Sequence, residues 1–220
     1  MSNLNQLILS FEYEQNFKNL DFYVSKSNAH VFNLINNWSS QNEKFLNIIG
    51  EKFCGKSHLI NIFLEKNTGI RINSDELNNN FLKEIKFYKN IILEDITLRI
   101  NEKLFYSLID IVETENKHLI VTSDVSIANL NFRLSDLKSR SKNFILTKIE
   151  NPDDELIFAL VLKNLSDRQI SVNKKLIDYI IKRIDRSYSN ISDFIYKIDQ
   201  LSLKKKKSID FKIIKEALGD

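Results

Sequence analysis

Between Leu46 and Phe63 the chain reads LNIIGEKFCGKSHLINIF. An apolar run ends at Gly50, four residues intervene, and Gly55, Lys56 and Ser57 precede a second amphipathic run. G-x-x-x-x-G-K-S is the spacing of a phosphate-cradling loop. In such a loop, backbone N–H groups and a helix N-terminus surround the β- and γ-phosphates, the lysine neutralises charge and the serine hydroxyl ligates Mg²⁺. Lys56 and Ser57 stand at those two positions. The competing reading is a tight strand-to-helix turn with a solvated lysine, and glycine usage argues against it. Average composition of ~7% would put about fifteen glycines in a chain this long, and there are four. Gly50 and Gly55 are two of them, placed where close approach or backbone freedom is needed. The inner residues Glu51, Lys52, Phe53 and Cys54 include no glycine, so a positive φ at Phe53 would be strained.

A phosphate loop needs carboxylates at the end of a neighbouring strand. NIILEDI supplies Glu94 and Asp95 after Ile91, Ile92 and Leu93. In this arrangement one carboxylate, Glu94, holds Mg²⁺ and the next, Asp95, orients the attacking water. The alternative is a pair of ordinary strand-end charges. Cys54, close to a helix start, could carry thiolate character, but a loop filler is the simpler reading.

The elements that must position these residues follow a regular alternation. KFLNIIG predicts a strand and KSHLINIFLEK the helix that follows the loop. GIRIN, KNIILEDI, KHLIVTSD and NFILTKI predict four more strands. Between them SDELNNNFLKEIK, NEKLFYSLIDIVETEN and NLNFRLSDLKSR predict helices, the first beginning at Ser74. SKSNAHVFNLINNW predicts an earlier helix capped by Ser25 or Ser27. Alternating strands and helices imply a five-stranded parallel sheet with helices on both faces. At Pro152, the one proline, the pattern changes. Asn151 is the expected N-cap, with Pro152 in the first helical position and three acidic residues in the first turn. VNKKLIDYIIKRI, NISDFIYKIDQLSLKKK and DFKIIKEAL continue as helices. The expected organisation is an arm over 1–20, an α/β nucleotide domain over 21–150 and a small all-α lid over 151–220.

Composition bounds the function. A net charge of +3 and a pI near 8.7 are far from the basic excess of a protein held to nucleic acid by phosphate neutralisation. One cysteine excludes an internal disulfide, and His30, His58 and His118 have no metal-ligand spacing. No apolar run approaches the ~20 residues of a membrane span. The N-terminus has no secretion-signal pattern. These observations predict a cytoplasmic protein with no membrane partner. Lys204–Lys207 closes a helix where cations suit the dipole, with DNA contact the lesser reading.

Taken together, these motifs resemble the AAA+ ATPases of the DnaA branch, and within it the Hda-type DnaA-homologous regulators. FYVSKSNAHVF, Phe22–Phe32, is similar to that branch's adenine-contacting F-x-V-G-x-S-N segment, with Ser25 in place of the glycine. The resemblance makes Val24 and Asn28 base contacts. GKSHL matches G-K-T/S-H-L and adds His58 to the nucleotide site. VTSD, Val121–Asp124, matches the sensor 1 strand and adds Asp124. LKSR, Leu137–Arg140, matches the segment whose arginine serves as the finger, which makes Arg140 a catalytic group offered in trans. QLILSF resembles a sliding-clamp-binding peptide, with Gln6 as the polar anchor and Leu7, Leu9 and Phe11 as pocket fillers. Two departures stand out: Glu94 replaces the usual Asp, and Ser192 stands where the sensor 2 helix has arginine, with Arg183 and Arg186 on the preceding segment.

The resemblance implies an AAA+ P-loop core with a helical lid, binding ADP or ATP with Mg²⁺ and holding ADP more readily than hydrolysing ATP. It implies the sliding clamp and the initiator DnaA as partners, DNA being reached through the clamp, and leaves self-association open. A helicase loader or DNA-remodelling ATPase that binds single strands is the alternative, and the mild charge speaks against it. A small-molecule P-loop kinase would not need the TSD and LKSR segments.

Overall fold

The computed structural model describes residues 22–168 and 173–219. The clamp-peptide positions Gln6, Leu7, Leu9 and Phe11 lie outside the described residues. The first part runs α1 (Ala29–Asn36), β1 (Phe45–Ile49), α2 (Lys56–Lys66), β2 (Gly69–Asn73), α3 (Asn79–Glu84), β3 (Asn90–Ile96), α4 (Glu102–Thr114), β4 (His118–Ser123), α5 (Ser135–Arg140) and β5 (Ile145–Lys148). The five strands form one parallel sheet in the order β2-β3-β4-β1-β5.

The central strands read as continuous apolar runs because both their faces are covered. All six residues of β4 are buried. Alternation then sends neighbours to opposite cores. Ile91, Leu93, Leu119 and Val121 pack with Phe81, Phe105, Leu108 and Leu137 of α3, α4 and α5. Ile92 and Ile120 pack on the other face with Val31, Ile35, Leu59 and Phe63 of α1 and α2. A third core joins α6 (Asp154–Asp167), α7 (Lys174–Ile181), α8 (Tyr188–Lys205) and α9 (Phe211–Leu218) through Ile157, Val161, Ile177, Ile180, Ile195 and Ile214. This is the five-stranded parallel sheet with flanking helices and small all-α lid expected from the alternation. Among the described residues, no helix is long and apolar enough to cross a membrane.

Four local expectations are corrected. Ser25 and Ser27 do not cap α1: their hydroxyls bond each other at 2.7 Å, and Asn28 takes the cap position without a side-chain cap bond. Asn28 spends its amide elsewhere, accepting from Ser25 N–H at 2.8 Å and donating to the Tyr23 carbonyl at 3.0 Å. The helix expected from Ser74 is instead a 3₁₀ turn, Ser74–Glu76, followed by α3. Asn78 separates them, because its side chain accepts from Asn80 N–H and Phe81 N–H and so starts a new helix. The segment before Ser135 is not helical, since the Glu102 carboxylate holds the N–H groups of Arg133 and Leu134. Finally, α6 is capped by Asp153, not Asn151, with Asp153 accepting from Leu156 N–H at 2.8 Å and Pro152 lying ahead of the helix.

Strand β1 lies between β4 and β5, while the chain leaves it for β2 at the far edge. Strand order reverses there, and the carboxyl ends of β1, β3 and β4 meet where α/β sheets bind ligands.

Candidate functional site

A cleft of about 650 Å³ opens at this edge, between the sheet and the lid. The loop residues Glu51 through His58 form its floor, and Asp95 and Asp124 stand beside them. Phe22, Tyr23 and Asn28 close one end. The lid contributes Leu156, Leu160 and Lys163 from α6, and Ile191, Ser192 and Tyr196 from α8.

The loop has the geometry that its glycines predict. Gly55 is the N-cap of α2 at φ 98°, a left-handed conformation that favours glycine. Gly50 is packed so closely that an added Cβ would lie 2.6 Å from Cys54 Sγ. Phe53 adopts φ 68°, so the strain foreseen for a bulky residue is present. Its ring is 52% exposed and does not fill the cleft. The Lys52 ammonium sits 5.0 Å from its centroid. Helix α2 begins at Lys56, so the open N–H groups of its first turn face the cleft beside Ser57.

Lys56 is buried, and its ammonium donates to the Gly50 carbonyl at 2.5 Å, the Glu51 carbonyl at 3.3 Å and Asp124 Oδ1 at 3.0 Å. The loop lysine and the carboxylate after β4 are thus brought together across 68 residues of sequence. His58 is buried edge-on against Phe22, which stacks on Phe32. Asn28 is buried in the cleft wall, whereas Val24 is exposed and lies outside the residues lining the cleft.

The two strand-end carboxylates separate. Asp95 reaches the cleft, at φ 54° and in a register irregularity between β3 and β4. Its N–H donates to Thr122 Oγ1 at 2.9 Å, and its carbonyl accepts from Ser74 Oγ at 2.7 Å. Glu94 is set back from the cleft lining: Oε2 lies 3.9 Å from Arg71, and Oε1 is buried without a hydrogen-bond partner. A buried orphan carboxylate oxygen fits a bridging water or a cation. No cluster of three or more metal-ligating side chains occurs among the described residues.

Arg140, the last residue of α5, is outside the cleft. Its guanidinium pairs with Glu113 at 2.8 Å and Asp110 at 3.1 Å and lies over the Tyr106 ring, all on α4. Ser192 does line the cleft from α8, while Arg183 stacks on Tyr179 and Arg186 pairs with Asp154. Burial pushes the Cys54 thiol up to about 11, against the lowering effect of Lys56, which makes it a filler of the loop.

Sequence reasoning missed Lys163 and Arg168, which α6 adds to the cleft lining. The spacing Leu156, Leu160, Lys163, Asp167 is one helical stripe and could have flagged that face. It also missed Glu51. Burial acts to raise its pKa, but hydrogen bonds from Ser187, Ser189 and Tyr188 outweigh this and hold it below the ordinary carboxylate value.

No protein-family model matches the chain. Its sequence is 21% identical over 196 residues to the chromosomal replication initiator protein DnaA of Leifsonia xyli subsp. xyli, covering 79% of this chain and 41% of that one. The chain therefore spans less than half of that relative's length. Its structure superposes on domain III of Thermotoga maritima DnaA with a TM-score of 0.73 at 17% identity, covering 93% of this chain and 96% of that one. The AMPPCP-bound DnaA of Aquifex aeolicus gives a TM-score of 0.63 at 18% identity, over 83% and 65% of the two chains. Sheet order, phosphate loop, lid and these likenesses agree: the chain has the AAA+ P-loop fold in the form found in domain III of DnaA.

Proposed function

We propose that this chain is an Hda-like regulator of replication initiation, which holds an adenine nucleotide, ADP in its working state, and stimulates ATP hydrolysis by DnaA. One observation carries the reading. The cleft has a built phosphate cradle around a buried Lys56, yet α8 offers it Ser192 and no arginine, and Arg140 lies on another face. Such a site suits holding a nucleotide more than turning it over, and an arginine on another face supports reading Arg140 as a finger for a neighbour.

In this reading Lys56 neutralises phosphate charge and the α2 N-terminus donates N–H groups. Ser57 would hold Mg²⁺, which screens the phosphate charge when bound, and Glu94, set back from the cleft lining, would support it through a bridging water. Asp124 pairs with the lysine, Asp95 lines the same cleft, and Asn28 would form the wall on the base side. With Ser192 and no arginine on α8, charge developed in hydrolysis lacks the sensor 2 guanidinium, so intrinsic turnover is weak. Arg140, released from Asp110 and Glu113, would enter the partner's site, where such a finger contributes ~10³–10⁵-fold. Gln6–Phe11 would tether the protein to the sliding clamp on DNA in the cytoplasm.

The test is DnaA ATPase activity measured with clamp-loaded DNA. Arg140→Ala is expected to abolish stimulation while clamp capture and ADP binding persist. Stimulation unchanged in Arg140→Ala removes the mechanism, and capture of helicase in place of clamp would favour the loader reading.

A further inference from the structure

Glu51 is the second residue of the phosphate loop, and a carboxylate beside bound phosphates would repel them. The structure resolves this by engaging the carboxylate with the lid. Its carboxylate accepts from Ser187 Oγ at 2.5 Å, Tyr188 N–H at 3.0 Å and Ser189 N–H at 3.2 Å. Those groups are the N-cap and first turn of α8, the 18-residue helix of the lid. Here the helix dipole and open N–H groups favour an anion, and bonds to an ionised acceptor are about twice as strong as neutral ones.

Ser187 serves two roles in this contact, donating to Glu51 while accepting from Asn190 N–H at 3.3 Å. A second tether lies beside it, where Tyr188 OH donates to the Glu150 carbonyl at 3.0 Å. Over the next two turns, α8 presents Ile191, Ser192, Ile195 and Tyr196 to the cleft. The cleft therefore has a wall whose position is fixed by a residue of its own floor.

From this we infer that Glu51 is a positioning residue, a latch that holds the lid against the phosphate loop and slows nucleotide release. The inference rests on the nucleotide-holding reading above and deepens it: the chain retains its ligand because the loop that cradles phosphate also caps the closing helix.

The experiment is release of a fluorescent ADP from the full chain, chased with unlabelled ADP, for wild type, Glu51→Ala, Ser187→Ala and the double variant. Amide exchange at Tyr188 and Ser189 is measured alongside, with β4 amides as the folding control. Loss of charge-assisted bonds predicts release about 10-fold faster in Glu51→Ala. The double variant should be no faster than Glu51→Ala, because both act through one contact. Exchange at Tyr188 and Ser189 should rise while β4 stays protected. If Glu51→Ala fails to fold, Glu51→Gln, which keeps the size but not the charge, takes its place with the same expectation. Release at the wild-type rate in every variant overturns the latch and leaves the nucleotide site standing. Failure of the wild type to bind the probe removes both.

Discussion

At the scale of single residues, the phosphate loop is governed by clearance and conformation. Gly50 is required by space: an added Cβ meets Cys54 Sγ at 2.6 Å and Ile149 Cβ at 3.3 Å. Overpacking of this kind costs ~1–3 kcal/mol. Gly50→Ala should lower the urea midpoint accordingly, and adding Cys54→Ala should recover part of the loss by removing the sulfur. An unchanged midpoint in the single variant would contradict the packing described. Gly55 is required by its φ of 98° instead. Both roles follow from a chain that spares only four glycines. The partner of Glu51 could not be read the same way, because Ser187 is 136 residues distant and no local pattern joins them.

At the scale of elements, the strands were legible because burial on both faces leaves uninterrupted runs such as HLIVTS and IIL. Short polar segments were not. In SDELNNNFLKEIK the apolar period suggested one helix, but Asn78 captures two N–H groups and restarts it. Glu102 does the same at long range for Arg133 and Leu134. Strand β4 also carries a titrating group at its entry. His118 is buried edge-on to Trp38, with Nδ1 3.3 Å from Asn90 Oδ1. Burial first, then Lys89 and Lys44, hold its pKa below the ordinary 6.5, against a hydrogen bond to the Gln41 backbone that raises it. The unfolded chain thus takes up a proton more readily than the folded one. The stability conferred by the neutral ring is present above pH ~6.5 and lost as pH falls through the lowered folded value, at no more than ~1.4 kcal/mol per pH unit for one proton. His118→Gln should flatten the denaturation midpoint between neutral and mildly acidic pH, and an unaltered pH profile would contradict this.

At the scale of the whole molecule, the two parts of the site face different ways. In the cleft Lys56 pairs with Asp124 on the sheet side, and the Glu51 contact with α8 joins sheet to lid. Arg140 is held on α4, away from that cleft, by Asp110 and Glu113. In the proposed reading, one molecule retains a nucleotide in its own cleft and addresses DnaA with another surface. The five-stranded parallel sheet was implied by alternating strands and helices, whereas its order, with β1 between β4 and β5, was not. The separation of Glu94 from Asp95 follows from strand alternation, and what adjacent residues could not reveal is the register irregularity and the φ of 54° at Asp95. The most direct measurement is mass-spectrometric identification of the nucleotide that copurifies with the wild-type chain and with Lys56→Ala. Near-stoichiometric ADP on the wild type, lost in the variant, is the predicted result. A wild-type protein that emerges empty and takes up no added ADP would contradict the account.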